Sequence, residues 1–221
     1  MAQENEQSLA NTDSDFTFAF EGNELVIPFI GMGAINSKHL FGVDEVVIFA
    51  FYWANRNRYR RVVDLGANIG VHSMVLSSLG FQVVAYEPDP FHSSVALKAL
   101  SANGIQNVDW REVAVIDNTT ALPTIEFVRV VGNTTSSHVR GAKKTPYGEL
   151  ERFEVRTESF SKIVEEADLI KMDVEGLEAD LISSLVDQSS TSALPDIILE
   201  VGTRENAEDI FTASRTLGYN L

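Results

Sequence analysis

Val63-Asp64-Leu65-Gly66-Ala67-Asn68-Ile69-Gly70 is the stretch from which the organisation of this chain follows. Val62, Val63 and Leu65 make a short apolar strand, broken only by Asp64. Gly66 and Gly70 then allow a tight, closely packed turn. Beyond it Val71, Met74, Val75 and Leu79 recur at helical spacing, and Gly80 supplies a stop. Strand, glycine turn and helix in this order open a β-α-β unit with parallel strands.

The same alternation extends downstream. Residues 82–86 read as a second strand, 91–102 as a helix ending at Asn103-Gly104, and 108–115 as a third strand. Strands at 169–173 and 197–201 alternate with helices at 159–166, 176–186 and 205–217. Between them, residues 122–157 break the pattern. Strand-like runs at 124–131 and 152–157 flank a polar loop carrying Gly132, Gly141, Pro146 and Gly148, so a hairpin insertion with a long tip is expected. That tip should lie over the carboxyl ends of the strands. Upstream, Phe16, Phe18 and Phe20 alternate with smaller residues, Glu21-Gly22-Asn23 signals a turn, and Leu25, Val26 and Ile27 follow. This predicts a β-hairpin ahead of a helix over 43–55. The whole implies an α/β domain with a mostly parallel sheet, helices on both faces, and ligands at the carboxyl ends of the strands. Three segments are expected: a disordered tail over 1–15, a hairpin and helix over 16–60, and the α/β domain over 61–221.

Composition narrows the chemistry. The chain has 221 residues, 44% hydrophobic, which suits one domain with an ordinary core. No cysteine is present, which removes disulfides, thiolate metal sites and a cysteine nucleophile and fits a cytoplasmic setting. The first residues have neither a basic nor an apolar region, so no secretory signal is expected, and no apolar run is long enough to span a membrane. The net charge of −15 repels phosphate backbones, so nucleic acid is not an expected partner. Arg56, Arg58, Arg60 and Arg61 form the one tight basic cluster. They are expected at a helix C-terminus, where cations offset the dipole.

Three motifs stand at predicted strand ends. In the first, Asn68 occupies the second glycine position of the dinucleotide pattern G-x-G-x-x-G and Val71 the third, which argues against an NAD-dependent oxidoreductase. The spacing fits D-x-G-x-x-x-G, the S-adenosylmethionine form of the same turn. Gly66, Ala67, Asn68 and Gly70 would let backbone approach that cofactor, with the helix N-terminus facing its carboxylate and Asp64 its ammonium. In the second motif, Glu87 stands 21 positions after Gly66, near the ~20 expected of a ribose-binding acid, and Pro88 and Pro90 stiffen its turn. Ala114, in the third strand, completes the expected cofactor contacts. The third motif is Ile170-Lys171-Met172-Asp173-Val174-Glu175-Gly176-Leu177-Glu178, which places Asp173 and Glu175 at the ligand edge.

In this order and spacing the three motifs resemble the FkbM family of methyltransferases. The resemblance runs from about Arg61 to Val201, and the third motif is its most specific part. Asn133-Thr134-Thr135-Ser136-Ser137 is similar to that family's polar loop. Glu158-Ser159-Phe160 departs from it, standing where the family usually has leucine and aspartate after threonine. The resemblance implies a Rossmann-like class I methyltransferase, a three-layer sandwich, with S-adenosylmethionine as cofactor and O-methylation of a hydroxyl on a sugar, glycan or small natural product. It also implies a sixth and an antiparallel seventh strand, which this sequence does not supply. A cofactor-binding module without catalysis is the competing expectation. For catalysis, Asp173 is the expected base or acceptor-positioning group, with Glu175 and the loop residue His138 as further candidates. Glu200 joins them as an acid at a strand end. No spaced histidine and acid cluster calls for a metal. The expected partner is the acceptor molecule, and a homodimer is allowed.

Overall fold

The computed structural model describes residues 14–33, 35–117, 122–131, 136–142, 149–186 and 194–221. Most of the expected tail, and the tip positions 132–135 and 143–148, lie outside these.

The hairpin pairs β1 (Phe16–Phe20) with β2 (Asn23–Ile27), Phe20 opposite Asn23. Glu21 and Gly22 form its two-residue turn, both at positive φ. A short 3-10 helix (Ser37–Phe41) leads into α1 (Val43–Ala54). The central sheet contains β3 (Arg61–Leu65), β4 (Gln82–Tyr86), β5 (Val108–Arg111), β10 (Leu169–Met172) and β11 (Asp196–Leu199). All its pairs are parallel, in the order β11-β10-β3-β4-β5.

Period-two alternation divides the core between the two faces of this sheet. Val62, Val83 and Leu169 pack with α1, α2 (Val71–Ser78), α3 (Pro90–Ala102) and the hairpin. Val63, Leu65, Val84, Tyr86, Ile170 and Met172 pack on the other face with α4 (Phe160–Val164), α5 (Glu178–Ser184) and α6 (Arg204–Thr216). The result is a three-layer sandwich, a parallel sheet between two layers of helices, as expected.

Two expectations need correcting. The strand foreseen over 108–115 is two strands. The Val113 N–H closes on the Arg111 carbonyl at 3.0 Å, bending the chain out of the central sheet, and β6 (Ala114–Ile116) joins a second one. The insertion is therefore more than a hairpin. β7 (Thr124–Val130) and β9 (Leu150–Ser159) pair antiparallel from Thr124↔Arg156 to Val130↔Leu150. β8 (His138–Val139) flanks β7, and β6 runs parallel to β9, giving four strands in the order β6-β9-β7-β8.

The arginine cluster also differs from expectation. α1 ends at Ala54, before any of the four. Arg56 donates to the Trp53 carbonyl at 2.6 Å and so does reach a helix-end acceptor. Arg58 pairs with Asp196, and Arg61, at the start of β3, pairs with Glu166. No helix among the described residues is long and apolar enough to cross a membrane.

Candidate active site

A cavity of about 290 Å³ lies at the carboxyl edge of the central sheet. The glycine turn, the ends of β4, β10 and β11, the N-terminal segment with Ile35, Leu40 and Glu45, and the insertion, whose Phe127, Ser137 and Val139 form part of the wall, build it. Thus the described part of the insertion does lie over the strand ends. A larger groove of about 1190 Å³ beside β11 contains none of the three motifs.

The glycine turn is held from below. The Gly66 and Ala67 N–H groups both donate to the Tyr86 carbonyl at 3.0 Å. Gly66 has φ +73, and a Cβ there would stand 1.7 Å from the Asp173 carbonyl oxygen. Its lack of a side chain is therefore required first by the packing of the two loops. Gly70, at φ +83, faces Ala96 and Trp110 rather than the cavity. Asn68 reaches φ +51, a conformation asparagine tolerates better than most residues. Its N–H donates to Glu87 Oε2 at 2.9 Å.

Glu87 is 5% exposed and is gripped on both oxygens, since the Asp89 N–H donates to Oε1 at 2.8 Å. His92, also on the wall, has Nδ1 3.7 Å from Glu87 Oε1, an ion-pair separation beyond hydrogen-bond reach. Burial works against a charge on His92, but Glu87 and Asp89 outweigh it and raise the pKa. Among the described residues its buried Nε2 has no hydrogen-bond partner. Asp89 caps α3 through the Phe91 N–H and receives both arms of Arg129 from β7, at 2.5 and 2.7 Å. This ion pair ties the insertion to the Glu87 turn.

Beneath the glycine turn, Asp64 and Lys171 face each other in register across β3 and β10. Asp64 is completely buried. Its Oδ2 accepts from Ser73 at 2.7 Å, and its Oδ1, with no hydrogen bond among the described residues, lies 3.6 Å from Lys171 Nζ. Lys171 also donates to the Gly66 carbonyl at 3.4 Å and stands 3.7 Å from Asp173 Oδ2. Burial alone would depress the lysine's pKa; the surrounding carboxylates, Asp173 first, raise it instead.

The loop after β10 carries Asp173 and Glu175 to the wall. Glu178 shapes it, accepting from the Val174 and Gly176 N–H groups at 3.0 Å each. Those bonds hold Glu175 at φ +56 and Gly176 at φ +110, and α5 starts later than expected as a consequence. Glu200, one step past β11, donates its N–H to the Met172 carbonyl at 3.1 Å and also reaches the wall. The charge of Asp173 raises its pKa, and partial burial adds to this.

Of the residues singled out in the sequence, Gly66, Asn68, Glu87, Pro88, Ala114, Asp173 and Glu175 therefore meet at one cavity. Asp64, Ala67, Gly70 and His138 stand off it. His138 is 2% exposed, and its Nδ1 lies 2.8 Å from the Ser136 carbonyl, while its chain neighbours Ser137 and Val139 line the cavity. Among the described residues no three histidine or acidic side chains are grouped to hold a metal.

Sequence comparison meets this geometry at its centre. The profile of the Methyltransferase FkbM domain matches residues 64–221, from the glycine turn onward. The chain belongs to the FkbM methyltransferase family. The matched domain, residues 64–221, is a methyltransferase domain. No curated protein sequence matches it. Among solved structures, this FkbM chain is similar to precorrin-6y C5,15-methyltransferase from Geobacter metallireducens GS-15, at 14% identity over 85% of this chain and 76% of that one, TM-score 0.47. It is also similar to P. horikoshii TYW2 in complex with MeSAdo, at 15% identity over 95% and 62%, TM-score 0.47. An S-adenosylmethionine-dependent methyltransferase from Agrobacterium tumefaciens aligns with 46% of the chain at 15% identity, TM-score 0.36. The chain spans about a third of that protein's length, 33%.

Three participants had no functional reading in the sequence. Lys171 left a signal, a lone cation in an apolar strand beside the aspartate of another. Glu178 lay inside the third motif. Glu45, on the cavity wall from α1, left none.

Proposed function

We propose that this methyltransferase transfers the methyl group of S-adenosylmethionine to a hydroxyl of a sugar, glycan or small natural product. The supporting observation is the juxtaposition of Asp173 and Glu200 at neighbouring strand ends, where Asp173 pushes the Glu200 pKa upward. Two carboxylates so crowded hold an added proton more readily than either would alone. That suits the removal of a proton from an acceptor hydroxyl.

The cavity residues fit the cofactor. Each Glu87 oxygen accepts one N–H and retains acceptor capacity, so the carboxylate can take two ribose hydroxyls. The buried His92 Nε2 on the wall, unpartnered among the described residues, is ready for a polar ligand atom. A wall carrying Glu45, Glu87, Asp173, Glu175 and Glu200 suits a cationic ligand. When bound, the cofactor supplies a methyl carbon already activated by its sulfonium. The protein's share is then alignment, exclusion of water and proton removal. Gly66, Asn68 and Pro88 shape the cofactor half, Ala114 and the insertion sheet close it, and Asp173, with Glu175 beside it, addresses the acceptor. His138 acts from behind this wall by fixing β8. The absence of cysteine supports a reducing, cytoplasmic setting.

The test begins with methyl-labelled S-adenosylmethionine and a panel of sugars and hydroxylated small molecules, read by a mass gain of one methyl. Asp173→Asn should then bind the cofactor within a few-fold of wild type and lose about 10²–10⁴ in turnover. Near-normal turnover would remove Asp173 from the acceptor side, and methyl transfer to nitrogen or carbon alone would end the hydroxyl assignment.

A further inference from the structure

Glu45 lies outside the region matched by the family, which starts at residue 64, yet it stands on the cavity wall. α1 delivers it in its first turn, where a carboxylate is favoured by the helix dipole. Its Oε2 is 2.9 Å from His72 Nε2, and the other ring nitrogen, Nδ1, is 3.0 Å from the Tyr52 hydroxyl. Tyr52 is completely buried in the core, and burial together with the nearby Asp64 and Glu45 raises its pKa, so it keeps its proton. An ionised Glu45 can only accept, so His72 Nε2 carries a proton and donates to it; Nδ1 of the neutral ring then accepts from the Tyr52 hydroxyl. Tyr52, His72 and Glu45 form a relay anchored in the core and ending at the cavity. Burial opposes the charge on Glu45, but the His72 contact outweighs it and the net pKa is lowered. The carboxylate stays ionised and is aimed.

Position identifies what it faces. His72 is the second residue of α2, just beyond the glycine turn. Glu87, on the same cavity wall, is the residue proposed for the ribose. A cofactor with its ribose at Glu87 brings its amino-acid end toward the N-terminus of α2. There Lys171 Nζ stands 3.6 Å from Asp64 and 3.7 Å from Asp173, and the charges of Glu45 and Glu200 also act on it. Four carboxylates acting on one ammonium leave room for a second cation.

We propose that Glu45 binds the α-ammonium of S-adenosylmethionine, in an orientation set by the Tyr52–His72 relay. The proposal rests on the cavity being the cofactor site, and three ligands separate the two ideas. S-adenosylmethionine and S-adenosylhomocysteine both carry the ammonium, and only the first carries the sulfonium charge. 5′-Methylthioadenosine carries neither. Affinities are measured by calorimetry, with weak ligands read by displacement of S-adenosylhomocysteine. Glu45→Gln can still accept from His72, so the fold should hold, checked by its melting temperature. The expected result is a loss of at least tenfold for the first two ligands, with 5′-methylthioadenosine within twofold of wild type. If Glu45→Gln melts early, Glu45→Asp replaces it, and a smaller loss confined to the same two ligands is expected. Loss for S-adenosylmethionine alone would place Glu45 at the sulfonium and overturn the proposal. Equal loss for all three, or none, would overturn it too. Failure of the wild type to bind any of them would instead remove the cofactor site itself, and the proposal with it. Glu87→Gln is the positive control, since it should weaken all three.

Discussion

Gly66→Ala tests whether the glycine turn exists to admit the cofactor or to let two loops touch. The new Cβ would meet the Asp173 carbonyl oxygen at 1.7 Å, roughly 2 Å short of ordinary van der Waals contact, about 3.5 Å. The obstacle is backbone, so no rotamer change relieves it. Two costs add. An L-residue at φ +73 carries about 1–2 kcal/mol of conformational strain, and overpacking against fixed neighbours carries about 1–3 kcal/mol. The sum is about 2–5 kcal/mol, or a fall in Tm of about 4–20 °C for a chain of this size. Gly80→Ala is the internal control: at φ +91 and with nothing within 4 Å of the added Cβ, it should show the strain alone. The assay is urea unfolding of the three proteins, followed by calorimetry with S-adenosylmethionine. Gly66→Ala should be the less stable variant and should bind weakly, because the Asp173 loop must move. Equal stability of the two variants, with binding lost only in Gly66→Ala, would refute this reasoning and put the Cβ in the cofactor's path.

Two more substitutions probe the buried charges. Lys171→Met should cost about 3–5 kcal/mol by stranding Asp64, which is completely buried, and adding Asp64→Asn should recover much of it; urea unfolding of a double-mutant cycle measures both. For His92 the folded pKa is raised, so its charge contributes stability that is fully present below the unfolded value, ~6.5, and lost as pH rises through the folded value. The stability gap between wild type and His92→Gln should accordingly narrow from pH 5.5 to pH 8.5, and a gap that widens would contradict the Glu87 and Asp89 pairing.

The parallel sheet was legible because its strands carry strong local signals. Apart from Asp64 and Gln82, residues 62–65 and 82–86 are apolar on both faces, as suits buried parallel strands, and the intervening helix has a periodic face and a glycine stop. The split between β5 and β6 was not legible. Strand-forming residues continue through Val113, and the bend depends on the insertion offering β9 as a new partner. The two residues of β8 have no pattern of their own and exist only through β7. In the site, glycines and strand-end acids declared themselves by spacing. The burial of Asp64 did not, because a motif shows that an acid is present without showing which way it points. Glu45 was further out of reach, since its placement depends on α1 packing across α2, 27 residues away in sequence from His72.

One property of the insertion bears on how such enzymes diversify. Its entry and exit strands, β6 and β9, run side by side, with Ile116 opposite Ser159. The insertion therefore begins and ends at neighbouring points, about 4.8 Å apart. Such a graft can be lengthened, shortened or exchanged without forcing apart the strands that carry the glycine turn. The face presented to the acceptor can therefore be rewritten in one continuous segment of sequence, provided that Arg129, or a substitute, keeps its grip on Asp89.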